Sequence, residues 1–191
     1  SSAASDVYKR QGYMFIDCLW VSGSFKGHGY SNDLLNECIR DSREKGKLGL
    51  CILSSAKKRS FLADPKYLKY KGFIKTDSAE PYFELMYLPF DPSAPAPRFR
   101  EQAKSAQTDG NGFEIFYTSQ CPFTAKYVPL IENMANDMNL PLSAVHISSR
   151  EQAQNAPCAY TAFSLFYNGK FITHEIPSGK KFAAIYEEFV K

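Results

Sequence analysis

The sequence predicts an α/β protein of two units in tandem, and three observations carry that prediction. A strand-like apolar run leads through a glycine-bearing loop and an amphipathic helix to a second apolar run. A segment with prolines at Pro92, Pro95 and Pro97 and few large apolar residues comes next. Beyond it the strand, helix, strand order begins again and closes with a hairpin and a helix. At 191 residues the chain has room for one large domain or two small ones, each able to bury a core.

Taken in order, "YMFIDCLWV" from Tyr13 to Val21 is rich in β-formers and reads as a strand. After the loop "SGSFKGHGY", the stretch Tyr30 to Lys45 sets Leu34, Leu35, Cys38 and Ile39 on one helical face, and Gly46 supplies a stop. "LGLCILSS" from Leu48 to Ser55 is continuously apolar, as a buried parallel strand requires. Asp64 to Phe73 reads as a helix ending near Gly72, and Pro81 to Phe90 as a further strand. Asp91 to Gly112 reads as a linker. In the second unit, "FEIFYTS" is a strand, about Cys121 to Met138 a helix, and "AVHIS" a strand. A short polar segment follows, then "AFSLFYNGKFITHEI", a hairpin turned at Asn168-Gly169, and "KKFAAIYEEFV" as the last helix. The expected divisions are 1–11, 12–90, 91–112 and 113–191.

Composition narrows the function. Hydrophobic residues are 44% and charged residues 23% of the chain. No apolar run approaches the roughly 18 residues of a membrane span, so a soluble protein without a membrane partner is expected. The net charge of +3 is spread along the chain apart from "AKKR" at Ala56 to Arg59, too little to argue for nucleic acid. Five cysteines, an odd number without metal-ligand spacing, fit a reducing cytoplasm and give no metal site. The first eleven residues, "SSAASDVYKRQ", have neither a signal peptide's apolar core nor an element's pattern. Because "DVYKRQ" matches a translated transposon-end adapter used in preparing sequencing libraries, Ser1 to Gln11 are expected to be non-native and the natural protein to continue upstream of Gly12.

Gly27 and Gly29 lie between a strand and a helix, where backbone N–H groups converge on an anion and the helix dipole favours negative charge. Lys26 adds a cation. The two glycines by themselves fit a plain tight turn as well.

The order of these elements, with "SFKGHGYSNDLL" between the first strand and helix and "KYKGF" ending the next helix, resembles the second half of the GNAT superfamily of acyl-CoA-dependent N-acyltransferases, over about Gly12 to Phe90. The resemblance implies a partial GNAT fold that binds acetyl-CoA. Gly27 and Gly29 match the glycines whose amides hold the pyrophosphate, Ser24 stands where Gln or Arg is usual, and Lys26, His28 and Tyr30 share the loop. Trp20 and Val21 would offer backbone groups to the pantetheine arm. The family's acid tyrosine falls at Leu68, which leaves its neighbours Tyr67 and Tyr70 as candidate acids, and Asp17 is the candidate for helping to deprotonate the acceptor amine. The early strands and helices that build much of the family's acceptor site are expected upstream, so the resemblance implies a truncated enzyme.

"YTSQCPFTAKYVP" places Cys121 after a strand at the start of a helix, where N–H groups and the dipole stabilise a thiolate. With "LFYNGKF", this resembles a thioredoxin-like α/β domain over about Phe113 to Lys191. Thr124 stands where redox members carry their second thiol, and Thr161 where they carry a cis-proline. The resemblance brings Cys158 towards Cys121, as a regulatory disulfide or as two separate thiols. Both modules in tandem look like the bacterial YoaP-type family, N-acetyltransferases with a C-terminal YoaP domain. The expected activity is acetyl transfer from acetyl-CoA to an amine of a small molecule or a protein. The alternative is a thioredoxin-like binding or thiol-redox module beside a non-catalytic GNAT half.

Overall fold

A strand that is apolar on both faces needs a layer on each side. In a computed structural model of the chain, which describes residues 8–9, 12–17, 19 and 29–191, that strand is β3 (Gly49–Ser54), buried along its whole length. It pairs in parallel with β2 (Tyr13–Ile16) and antiparallel with β5 (Phe83–Pro89), whose other neighbour is β4 (Ile74–Ala79). The sheet order is β2-β3-β5-β4. Helix α1 (Tyr30–Glu44) connects β2 to β3, and α2 (Pro65–Tyr70) connects β3 to β4. Leu35 of α1 and Leu68 of α2 join one buried cluster with Ile16, Leu50, Ile52, Phe73 and Met86, so both helices cover the same face of the sheet. A Cβ on Gly49 would run into the Leu88 carbonyl oxygen and lie 2.9 Å from the Pro89 Cα, which is why glycine begins β3.

Two sequence expectations shift here. Leu34, expected on the apolar face of α1, is 45% exposed, because the buried stripe runs through Leu35, Cys38, Ile39 and Ser42 and leaves Leu34 on its rim. The strand expected at Pro81 to Phe90 is half of a hairpin. Its partner β4, "IKTDSA", has only Ala79 buried and so carries little apolar signal.

The proline-bearing stretch is stitched to the first unit, which runs to Arg100. The Tyr13 hydroxyl donates to the Pro95 carbonyl at 2.9 Å, and the Thr76 hydroxyl donates to the Pro97 carbonyl at 2.9 Å. The Phe99 N–H donates to the Asp77 carboxylate at 2.9 Å, and Arg98 donates to the Thr76 carbonyl. Strand β6 (Arg98–Phe99) pairs antiparallel with β1 (Tyr8–Lys9), which lies in the segment expected to be adapter-derived.

The second unit, Glu101 to Lys191, opens with the short helix α3 (Glu101–Lys104). Strand β7 (Phe113–Tyr117), helix α4 (Pro122–Asp137) and strand β8 (Leu142–His146) form a parallel strand, helix, strand unit. The antiparallel hairpin β9 (Phe163–Tyr167) and β10 (Lys170–Thr173) completes a sheet of order β10-β9-β7-β8. Val128, Ile131 and Ala135 of α4 share a core with Phe182 of α6 (Gly179–Phe189), so these two helices lie on one face. The polar segment before β9 contains α5 (Arg150–Gln154), where the Ser149 and Gln152 side chains form a reciprocal capping box. No helix among the described residues is long and apolar enough to cross a membrane.

Candidate functional site

Because β2 and β3 run in parallel, their carboxyl ends lie side by side, and α1 and α2 both begin at that end of the sheet. In open α/β sheets this is where ligands find backbone donors and room. Helix α1 starts from Gly29 at φ 79°, with its carbonyl accepting from the Asn32 and Asp33 N–H groups and no side chain capping it. Nothing lies within 4 Å of a Cβ added there, so the left-handed backbone, rather than crowding, calls for glycine. Asp33 in the first turn offsets part of the positive end of the dipole. Helix α2 is capped differently: the Asp64 carboxylate accepts from the Lys66 N–H at 2.9 Å, and Pro65 takes the first position.

A polar contact joins the two helices. The Tyr67 hydroxyl donates to Asn32 Oδ1 at 3.0 Å, joining α2 to the first turn of α1. Partial burial pushes the Tyr67 phenol above its ordinary value, so it holds its proton through neutral and mildly alkaline pH. Of the two candidate acids, only Tyr67 is held at the α1 start by a hydrogen bond. Tyr70 is 82% exposed, and Leu68 between them is fully buried. Asp17, just past β2, is exposed, and Tyr30 is partly exposed in the first turn of α1. At the end of β3 the Ser54 and Ser55 hydroxyls are spent on the Ala63 and Lys57 carbonyls, which fixes the loop into α2. Trp20, Val21, Lys26, Gly27 and His28 lie outside the described residues. Asn32 escaped the sequence reading, since its partner is 35 positions away and nothing local signals the pairing.

In the second unit Cys121 is the N-cap of α4, half-buried, with no side-chain cap bond. The Thr124 hydroxyl lies 3.0 Å from the Thr118 carbonyl oxygen and 2.7 Å from that of Cys121, fixing the turn into the helix. Cys158 is buried, and burial pushes its thiol up to about 12, a hydrogen bond from the Tyr160 backbone acting in the opposite direction. Cys121 and Cys158 are both free thiols. The Thr161 hydroxyl is buried without a hydrogen-bond partner. Sequence reading also passed over Ser119 and His146, whose Oγ and Nε2 stand 2.8 Å apart, with the Tyr117 ring stacked on the imidazole at 5.0 Å. Only the pairing of Tyr117 with His146 across β7 and β8 brings them together. Among the described residues no three His, Cys, Asp or Glu side chains are grouped to hold a metal.

The chain is 38% identical over 170 residues to the "Uncharacterized N-acetyltransferase YoaP" of Bacillus subtilis (strain 168), covering 89% of this chain and 68% of that protein. The chain belongs to the YoaP-like family. The family's own profile, YoaP-like, matches residues 141–183, from the start of β8 into α6. This kinship supports a transferase in general. No solved structure matches.

Proposed function

We propose that the first unit is the cofactor-binding part of a GNAT-type N-acetyltransferase that uses acetyl-CoA and delivers the acetyl group to an amine. The observation that carries this reading is the Tyr67 to Asn32 hydrogen bond, which holds a protonated phenol at the start of α1, beside the carboxyl ends of the parallel strands. The order β2-β3-β5-β4 with both helices on one face agrees with the resemblance drawn from the sequence. The uncapped, left-handed start of α1 at Gly29 fits an anionic cofactor arm, since its first amides have no side-chain acceptor.

Acetyl-CoA, when bound, supplies a thioester already activated for acyl transfer. Around it the chain's residues have separable tasks. The α1 amides would bind negative charge on it, and the Tyr67 hydroxyl, turned from Asn32 Oδ1, would give its proton to the leaving thiolate. A phenol is protonated at neutral pH, as the acid of this step must be. Asp17 at the end of β2 is the group proposed to accept a proton from the incoming amine.

The test is calorimetric titration of acetyl-CoA into the protein, then release of free thiol with a panel of amines. Binding that is lost in Gly29→Glu, together with turnover falling about a hundredfold in Tyr67→Phe while binding is kept, is the expected result. Failure of the unmodified protein to bind acetyl-CoA overturns the reading.

For the second unit, we infer a thioredoxin-like fold used for recognition. The order β10-β9-β7-β8 with α4 and α6 on one face supports it. Thr124, which is buried and hydrogen-bonded, replaces the second thiol of a two-cysteine redox motif, so thiol chemistry at this turn rests on Cys121.

A further inference from the structure

Between Lys57 and Lys75 the chain carries seven Lys and Arg residues against one acidic residue, Asp64. That surplus of six is twice the net charge of the whole protein, +3, so the rest of the sequence is net acidic. The cations follow one another along the loop leaving β3, the short helix α2 and the start of β4. On α2, Lys66, Lys69 and Tyr70 stand at positions i, i+3 and i+4 and form the outer face, while Leu68 turns into the core. The exposed aromatic rings of Tyr70 and Phe61, 82% and 47% accessible, lie among them.

Some of these charges are already occupied. Lys58 pairs with Asp64 at 3.5 Å and Lys75 with Glu84 at 3.2 Å. The Arg59 guanidinium sits 3.8 Å from the centre of the Tyr82 ring, and Lys71 Nζ lies 5.3 Å from the Tyr70 ring and 5.9 Å from that of Tyr67. Lys57, Lys66 and Lys69 are exposed and have no carboxylate partner among the described residues. A concentration of like charge that the fold leaves uncompensated costs self-repulsion, and a partner of opposite sign relieves it.

We propose that this α2 face is a docking surface for an acidic polypeptide segment, one rich in Asp and Glu. The free cations are all lysines, compact point charges that meet carboxylates without geometric demand. The one guanidinium, whose fork would suit phosphate or a base edge, is committed to Tyr82. Tyr70 and Phe61 supply apolar contact for side chains between the acidic ones. The proposal stands apart from the acyl-transfer reading, because it concerns binding at a face whose lysines that reading does not use.

The experiment is fluorescence anisotropy of a labelled oligoglutamate peptide titrated with the full chain at low and at raised salt, beside an oligothymidylate of equal length. Tighter binding of the peptide is expected, weakening as salt rises. It should fall about tenfold in the triple variant Lys57→Gln, Lys66→Gln, Lys69→Gln. The control Lys126→Gln, Lys170→Gln, Lys181→Gln removes the same charge from exposed lysines elsewhere and should leave affinity within about twofold. Equal losses in both variants, no peptide binding, or tighter binding of the oligonucleotide each overturn the proposal. Circular dichroism of both variants checks that the fold is kept.

Discussion

Both units are made from the same parts, a parallel strand, helix, strand element and an antiparallel hairpin, yet they join them differently. In the first unit the hairpin adds to the second parallel strand, giving β2-β3-β5-β4, so the strand that feeds α1 lies at the border of the described sheet. In the second it adds to the first parallel strand, giving β10-β9-β7-β8, so the strand that feeds α4 lies at the centre. The choice of neighbour sets what surrounds the two helix starts. Around the turn into α4, His146 at the end of β8 bonds Ser119, and on the other side the Thr118 N–H donates to the Ala162 carbonyl at 3.2 Å. The start of α1 has no such pair of flanking strands among the described residues, and its described partner is Tyr67 from the next helix. A flanked turn suits a fixed reactive side chain, whereas an open one leaves room for a long ligand to lie against backbone amides.

Each unit has its own core, and the largest expected effect tests that directly. Phe182 is fully buried with its ring 5.2 Å from that of Phe113, in a cluster made of second-unit residues. Phe182→Ala should destabilise the second unit by about 3–5 kcal/mol. Calorimetry should show a transition moved to lower temperature beside one that stays in place. A single transition that moves as a whole would mean that the two cores melt as one.

A second effect separates the two ends of the parallel pair in the first unit. At the amino end, Gly49 faces the β5 backbone, and Gly49→Ala should cost about 1–3 kcal/mol through overpacking. At the carboxyl end, Gly29 has open space, and Gly29→Ala should cost only the strain of a left-handed alanine, about 1 kcal/mol. Denaturant midpoints rank the two, and a reversed order would remove the open turn on which the proposed ligand site rests.

What the sequence made legible follows where its signals are local. The β3 run is apolar at every position, the α1 stripe repeats at the helical period, Pro65 follows the Asp64 cap, and Asn168-Gly169 turns the hairpin, so these elements could be read directly. Strand β4 could not, because its stability comes from pairing with β5 rather than from its own polar side chains. The site divides in the same way. Glycine between a strand and a helix is a local pattern, but Tyr67 with Asn32 and Ser119 with His146 depend on contacts across 35 and 27 positions. The stretch 91–112 looked like a linker because it lacks apolar residues, yet Pro95, Pro97 and Phe99 are held by hydrogen bonds from or to distant residues.

The last effect concerns two thiols of the second unit, Cys121 and Cys158, and it sharpens the contrast between a reactive and a structural cysteine. An unfolded thiol loses its proton near the ordinary value of 9.0, whereas buried Cys158 keeps its own until about 12. Between these values the unfolded state holds fewer protons than the folded one, so stability is full below pH 9 and falls as pH rises. One proton corresponds to a slope of about 1.4 kcal/mol per pH unit. Urea unfolding at steps of pH should therefore give a steeper alkaline decline for the unmodified protein than for Cys158→Ala, groups common to both cancelling in the difference. Half-buried Cys121 should meanwhile react with iodoacetamide in the folded protein while Cys158 stays protected. Parallel pH curves for the two proteins, or alkylation of Cys158 before Cys121, would reverse these roles and move the reactive thiol from the α4 turn to the loop before β9.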